Sequence, residues 1–268
     1  METTKEKMFD FKRFGRVISR DVNSNMQSLL LKWVMMFGMM TLILVLVSLV
    51  VDSTGKGPAE VVFVIGLFLF GALGASIFME NMTTAPARLT SLMLPATYLE
   101  KYMSRFVICI IGTTVAYLIS YELADCIRVI FVNYLSPATH VRAVAMPIWE
   151  MTDFSDGVKS SSLMMLCFYI SMQSTFVLGS TFWAKNSFVK TFAACLVLQF
   201  ALSMICSSIA EHMIMGKSVY FDKKIFEYEG MLAWGLLIMS VICAIFQYVV
   251  AYYRIKEAEI IDLSLIHI

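Results

Sequence analysis

An active centre needs nucleophiles, bases or metal ligands that can converge, and in this 268-residue chain the candidates are few enough to place one by one. The three histidines are His140, His212 and His267, and none belongs to an H-E-x-x-H helix. Glu211-His212 is an adjacent pair whose side chains point apart on a helix, so zinc ligation does not follow from it. The cysteines at 109, 126, 167, 195, 206 and 243 form no C-x-x-C pair and mostly lie inside apolar runs, where they read as small buried hydrophobes. Serines near Gly74 and Gly179 occur as Gly-Ala-Ser and Gly-Ser-Thr. Those are not the elbow of a serine hydrolase, and no apolar run carries a central histidine. Gly216-Lys217-Ser218 ends like a phosphate loop, but Glu211 stands where the first glycine is required. The sequence therefore predicts no catalytic, cofactor-binding or metal-binding residues and no cofactor. Energy from ATP would have to come from another subunit.

What must position any function is a membrane domain. Hydrophobic residues make up 59% of the chain and charged ones 15%, with a mean hydropathy of +0.76, which is outside the range of ordinary soluble domains. The 21 basic and 20 acidic residues nearly cancel, so bulk charge gives no sign of nucleic-acid binding. A helix needs roughly 20 apolar residues to cross the hydrocarbon core. Six runs free of Asp, Glu, Lys and Arg qualify: Trp33–Val51, Val61–Met79, Phe106–Tyr121, Ser161–Ala184, Thr191–Ala210 and Met231–Tyr253. The predicted fold is all-α and polytopic, with an interfacial segment at 1–28, a six-span domain at 29–253 and a tail at 254–268. The spans fall near 29–51, 61–79, 103–122, 161–184, 190–210 and 231–253. The third run is short, but the chain stays apolar toward Phe131 around Glu122, Asp125 and Arg128. Their i, i+3, i+6 spacing keeps the three charges broadly on one side, facing protein or water. No cleavable leader is expected, because the first apolar run starts late and is too long.

Six spans put both termini on one side. The segments on that side hold 14 of the 21 Lys and Arg when Lys32 is counted with the amino-terminal region, so the positive-inside rule places both termini in the cytoplasm. Within residues 1–28, Phe11, Phe14, Ile18 and Val22 form an apolar stripe, and Arg13, Arg16 and Arg20 form a basic one. This describes an interfacial helix, apolar side at the acyl boundary and arginines toward anionic headgroups, ending at Asn23-Ser24-Asn25. A topology signal and a partner site are both compatible with it.

Residues 80–105 contain two helix starts. Pro86 suits the first turn of a short helix, to which Leu89, Leu92 and Met93 give an apolar face beside Arg88, and Pro95 stops it. Thr97 and Glu100 then form an S/T-x-x-E capping box that opens the third spanning helix. A short amphipathic helix held between two spans is suited to docking on another protein and passing force into the membrane; the plainer reading is an interfacial loop. On the other side, residues 122–160 and 211–230 are too short and polar for a folded domain. They leave room for an interfacial helix near Val141–Met151 and a partly re-entrant Met213-Ile214-Met215. Within the second span, Gly66, Gly71, Gly74 and Ala75 are predicted packing positions, with Gly71 and Ala75 in a small-x-x-x-small relation. The 21 methionines offer adaptable surface but equally fill gaps.

The basic amphipathic start, the six spans and the string from Arg88-Leu89-Thr90-Ser91-Leu92-Met93-Leu94-Pro95 to Thr97-Tyr98-Leu99-Glu100-Lys101-Tyr102 together resemble a known family. Phe176-Val177-Leu178-Gly179-Ser180 and Tyr253-Arg254-Ile255-Lys256-Glu257 add to the likeness. The chain resembles permease subunits of type-2 ATP-binding-cassette exporters, particularly those of Bacteroidetes bacteria. The resemblance implies a non-catalytic permease in the bacterial cytoplasmic membrane, paired with a second permease subunit as a homo- or heterodimer, surrounded by membrane lipid and driven by a separate ATPase subunit. It also implies that Arg13, Arg16, Arg20 and residues 84–95, together with Thr97 and Glu100, form the coupling surface. A membrane scaffold or sensor subunit that moves nothing is the alternative.

Overall fold

The computed structural model describes residues 9–50, 57–80, 93–135, 161–183, 185–214 and 229–266. Among them the chain is helical with no strand, and six helices are long and apolar enough to cross a membrane. The chain is an all-α polytopic membrane protein. In hydrocarbon every backbone N–H and C=O must be satisfied within its own segment, and an uninterrupted helix does that.

Helix α1 (Phe11–Ser24) begins at Asp10, whose side chain accepts from the Lys12 amide, and ends at Asn25, whose Nδ2 donates to the Asp21 carbonyl at 2.9 Å. Helix α2 (Met26–Val50) follows after that single turn residue. Helix α3 (Gly57–Ser76) is span two. The third spanning helix is a composite. Helix α4 (Tyr98–Phe106) runs into a π-helical segment, Val107–Gly112, and on into α5 (Thr113–Leu135). The wider π turn loosens the local ladder, and two threonines close it. Thr113 Oγ1 donates to the Cys109 and Ile110 carbonyls, and Thr114 Oγ1 to that of Ile110 at 2.7 Å. Span three therefore extends well past Tyr121, because the charges at 122, 125 and 128 interrupt the apolar run without breaking the helix.

Helices α6 (Ser161–Phe182) and α7 (Ser187–Ile214) are joined through Asn186 at φ 57, a left-handed conformation that asparagine tolerates. Helix α8 (Glu229–Ile266) continues beyond residue 253, so most of the predicted tail is one helix with span six. No glycine or proline after Tyr253 stops it, Ile255 is buried, and Arg254 lies over the Phe182 ring at 4.2 Å. At about 1.5 Å per residue its 38 residues reach far beyond the hydrocarbon core.

Two buried clusters hold the bundle. One packs α2, α3 and α5 around Met40, Leu44, Phe63, Tyr117 and Tyr121; the other joins α3, α4, α6 and α8 around Phe78, Tyr102, Val177 and Ala251. Helix α3 is the common member, and its small residues allow it. A Cβ on Gly66 would meet Tyr117 Oη at 2.6 Å, one on Gly71 the Tyr169 ring at 2.6 Å, and one on Gly74 Thr113 Oγ1 at 2.5 Å. Ala75 is fully buried. Gly71 and Gly74 are thus approached by single side chains from spans four and three rather than by a bare helix backbone.

Candidate functional site

The start of α4 is the most constrained polar point among the described residues. Thr97 Oγ1 accepts from the Glu100 amide, and the Glu100 carboxylate accepts from the Thr97 amide at 3.1 Å, which completes the capping box. The same carboxylate also takes the start of α1. Its Oε1 accepts from the Asp10 amide at 2.8 Å and from Arg13 Nη2 at 2.8 Å, and its Oε2 accepts from Arg13 Nε at 2.7 Å. One side chain with no solvent exposure therefore fills its acceptor sites with two helix starts and a bidentate guanidinium. Burial by itself would raise the Glu100 pKa. The Arg13 guanidinium and the Asp10 and Thr97 amides outweigh it and pull the carboxyl down from 4.5 to about 2.

Further links spread from this point. Ser104, one turn along α4, donates to Asp21 Oδ2 of α1 at 3.1 Å, and Tyr102 Oη donates to the Tyr248 carbonyl of α8 at 3.1 Å. Tyr102 also meets Phe78 and Tyr252 ring to ring. Helix α4 thus joins α1 to the ends of spans two and six.

The structure divides the predicted coupling residues. Arg13 is half-buried and turned onto Glu100, so it leaves the basic stripe, while Arg16 and Arg20 stay exposed. The face of α1 that packs inward runs through Arg13, Val17 and Asp21; Val17 is buried and Phe11 is exposed. The apolar stripe of Phe11, Phe14, Ile18 and Val22 lies beside that face, Phe14, Ile18 and Val22 being partly buried, and the ion pair and the Ser104–Asp21 bond set the roll of the helix. Met93 is 82% exposed. Pro86, Arg88, Leu89 and Leu92 lie outside the described residues, as do His140, His267, Gly216-Lys217-Ser218 and most of the two connecting segments beyond 135 and 214.

Polar groups inside the bundle escaped the sequence reading, which searched the spans for full charges. Tyr169 Oη lies 2.9 Å from Thr114 Oγ1 and accepts from Gln173 Nε2 at 2.7 Å. Gln247 Oε1 accepts from Ser174 and Thr175 at 2.5 and 3.0 Å, tying α6 to α8. Glutamines in otherwise apolar runs were the available signal, because a buried amide requires partners. At the end of α5, Arg128 Nε donates to Asp125 Oδ1 at 2.7 Å, both residues being buried. Tyr117 and Tyr121 donate to the Phe63 and Ala59 carbonyls of α3. These groups face protein rather than lipid.

Compared with protein-family models, with curated proteins and with solved structures, the chain matches none of them.

Proposed function

We propose that this chain is the membrane-spanning permease subunit of an ATP-binding-cassette exporter, moving its substrate when a separate nucleotide-binding subunit hydrolyses ATP. The observation that supports the reading is the Glu100 clamp. A peripheral helix bonded through one buried carboxylate to the first turn of a spanning helix is a mechanical joint, since displacing α1 moves α4 with it. From α4 the load passes to span six through Tyr102 and to span two through Phe78. The exposed Arg16, Arg20 and Met93 supply contact points for a partner at this end, and the resemblance adds Pro86, Arg88, Leu89 and Leu92, outside the described residues, to the same proposed contact. In this reading Arg13, Thr97 and Glu100 are the joint itself rather than the contact. A second permease subunit, a bacterial cytoplasmic membrane and cytoplasmic termini belong to the same proposal.

Mild-detergent purification from the native membrane, with identification of co-purifying chains and an ATPase assay, tests it. The reading expects a stoichiometric nucleotide-binding subunit whose turnover responds to transport substrate. It also expects Thr97→Ala with Glu100→Ala to uncouple turnover from transport in protein that still reaches the membrane. A chain repeatedly purified alone and inert toward ATP would point instead to a scaffold or sensor.

A further inference from the structure

Where α6 turns into α7, the fold gathers cations that no internal contact neutralises. Lys185 lies in the turn and Lys190 in the first turn of α7, with the left-handed Asn186 between them. A third cation, Arg254, arrives from α8. Gln247 of that helix accepts from Thr175 of α6, and two helical turns farther along both helices Arg254 lies over the Phe182 ring at 4.2 Å. The side chains of Lys185, Lys190 and Arg254 are exposed, and none of the three makes a hydrogen bond or an ion pair. Residues 182–192 and 251–257 together hold four cations and one acid, Glu257, so the patch is positive as a whole.

Bare apolar surface starts at the same place. Phe182 and Trp183 are exposed at the turn, and Val189, Phe192, Leu196 and Phe200 of α7 follow at +3, +4 and +4 steps as one exposed stripe. At about 1.5 Å per residue that stripe runs about 16 Å, half the hydrocarbon thickness and so the depth of one leaflet. A soluble acidic protein would satisfy the cations and leave the stripe bare. A zwitterionic headgroup would bring an ammonium that the cations repel. A phospholipid with net negative charge fits both parts, because each Lys or Arg at the membrane surface attracts it and exposed aromatic rings belong at headgroup level. The positive end of the α7 dipole acts in the same direction.

We infer that the α6–α7 turn, with Arg254 of α8 laid against it, binds one anionic phospholipid, its phosphate among Lys185, Lys190 and Arg254 and one acyl chain along Val189, Phe192 and Leu196. Such a lipid ties the end of span six to the start of span five through its headgroup. The inference does not depend on the transport reading.

The test reads the lipid beside Trp183. The full chain, with Trp33, Trp149 and Trp234 replaced by Phe, is placed in nanodiscs holding equal amounts of phosphatidylglycerol and phosphatidylethanolamine, one of which carries brominated chains that quench tryptophan fluorescence. The relative binding constant at Trp183 should favour phosphatidylglycerol about fivefold, the effect of one cation near the surface. Lys185→Gln with Lys190→Gln and Arg254→Gln should bring the two lipids to parity. A chain keeping only Trp234, which is exposed near the opposite end of α8, should show no preference with or without those substitutions. Equal quenching by the two lipids at Trp183, a preference that survives the triple substitution, or the same preference at Trp234 would each overturn the inference. Quenching by neither lipid would mean that protein covers the turn, and would overturn it as well. The lipid comparison is made with all three cations in place, so a poorly folded triple variant does not blunt the test.

Discussion

Span two and span five each carry an apolar stretch of 19 residues, yet half of the first stretch is buried in protein and almost none of the second. The difference is in side-chain size and in what the neighbours can reach. Span two presents Gly66, Gly71 and Gly74 to Tyr117, Tyr169 and Thr113, so large side chains from two helices close on its backbone. Span five is attached mainly at its start, where Phe188 stacks between Phe176 and Phe192, and Gly179 admits Thr191. Farther along, Val197, Leu198 and Phe200 are exposed. Hydrophobicity places a helix in the bilayer, but in lipid it does not drive helices together; close packing and hydrogen bonds do. Span two belongs to the rigid part that carries the Glu100 joint, and span five leaves most of its apolar surface uncovered by the rest of the chain.

The sharpest way to break the rigid part is at the joint. Glu100→Ala should cost about 3 kcal/mol, the low end for breaking a buried pair because Arg13 remains one-third exposed. Thermal unfolding in detergent should show the loss, and trypsin should cut at Arg13, Arg16 and Arg20 faster. The joint has its own pH window. The folded pKa lies below the ordinary 4.5, so the carboxylate's contribution is complete above that pH and is lost as pH falls toward about 2. A spin-label pair on α1 and α4 should keep its distance from pH 8 to 5 and broaden only in stronger acid. Separation beginning near pH 6 would mean that another group holds α1.

Next in size is Gly74→Ala, whose new Cβ would press on Thr113 and cost about 2 kcal/mol. Gly38→Ala provides the contrast, since nothing lies within 4 Å of its added Cβ, and the better helix former should leave the melting temperature unchanged or slightly raised. Gln247→Leu removes the hydrogen bonds from Ser174 and Thr175 and should cost about 1 kcal/mol, within the range found for hydrogen bonds between membrane helices. The smallest effect belongs to span five. Leu198→Ala should change stability by less than about 0.5 kcal/mol, because lipid fills the space that a protein core would leave as a cavity. A loss as large as that of Gly74→Ala would show that another protein covers this helix.

Local patterns carried much of this structure. The apolar runs placed six helices, Asn23-Ser24-Asn25 marked the turn where α1 ends, and Thr97 with Glu100 announced a helix start three residues apart in sequence. Each of these features is decided within one or two helical turns, where spacing alone fixes which groups meet. The continuation of α8 could also have been read from the absence of any stop signal. What the capping box did not reveal is that Glu100 serves a second helix. Its partner Arg13 lies 87 residues away, and at the level of periodicity Arg13 is indistinguishable from Arg16 and Arg20. The roll of α1 on α4 decides which arginine is buried.

The same holds inside the membrane. Composition determined that the chain lives in a bilayer and that its helices satisfy their own backbones. Only the tertiary structure decided that Gly66, Gly71 and Gly74 meet three particular side chains, that Tyr169 and Gln173 share Thr114, and that a charged and an apolar cavity share walls at Lys32. The physical reason is that a helix is specified by contacts three and four residues apart, whereas its neighbours are selected by how whole surfaces cross.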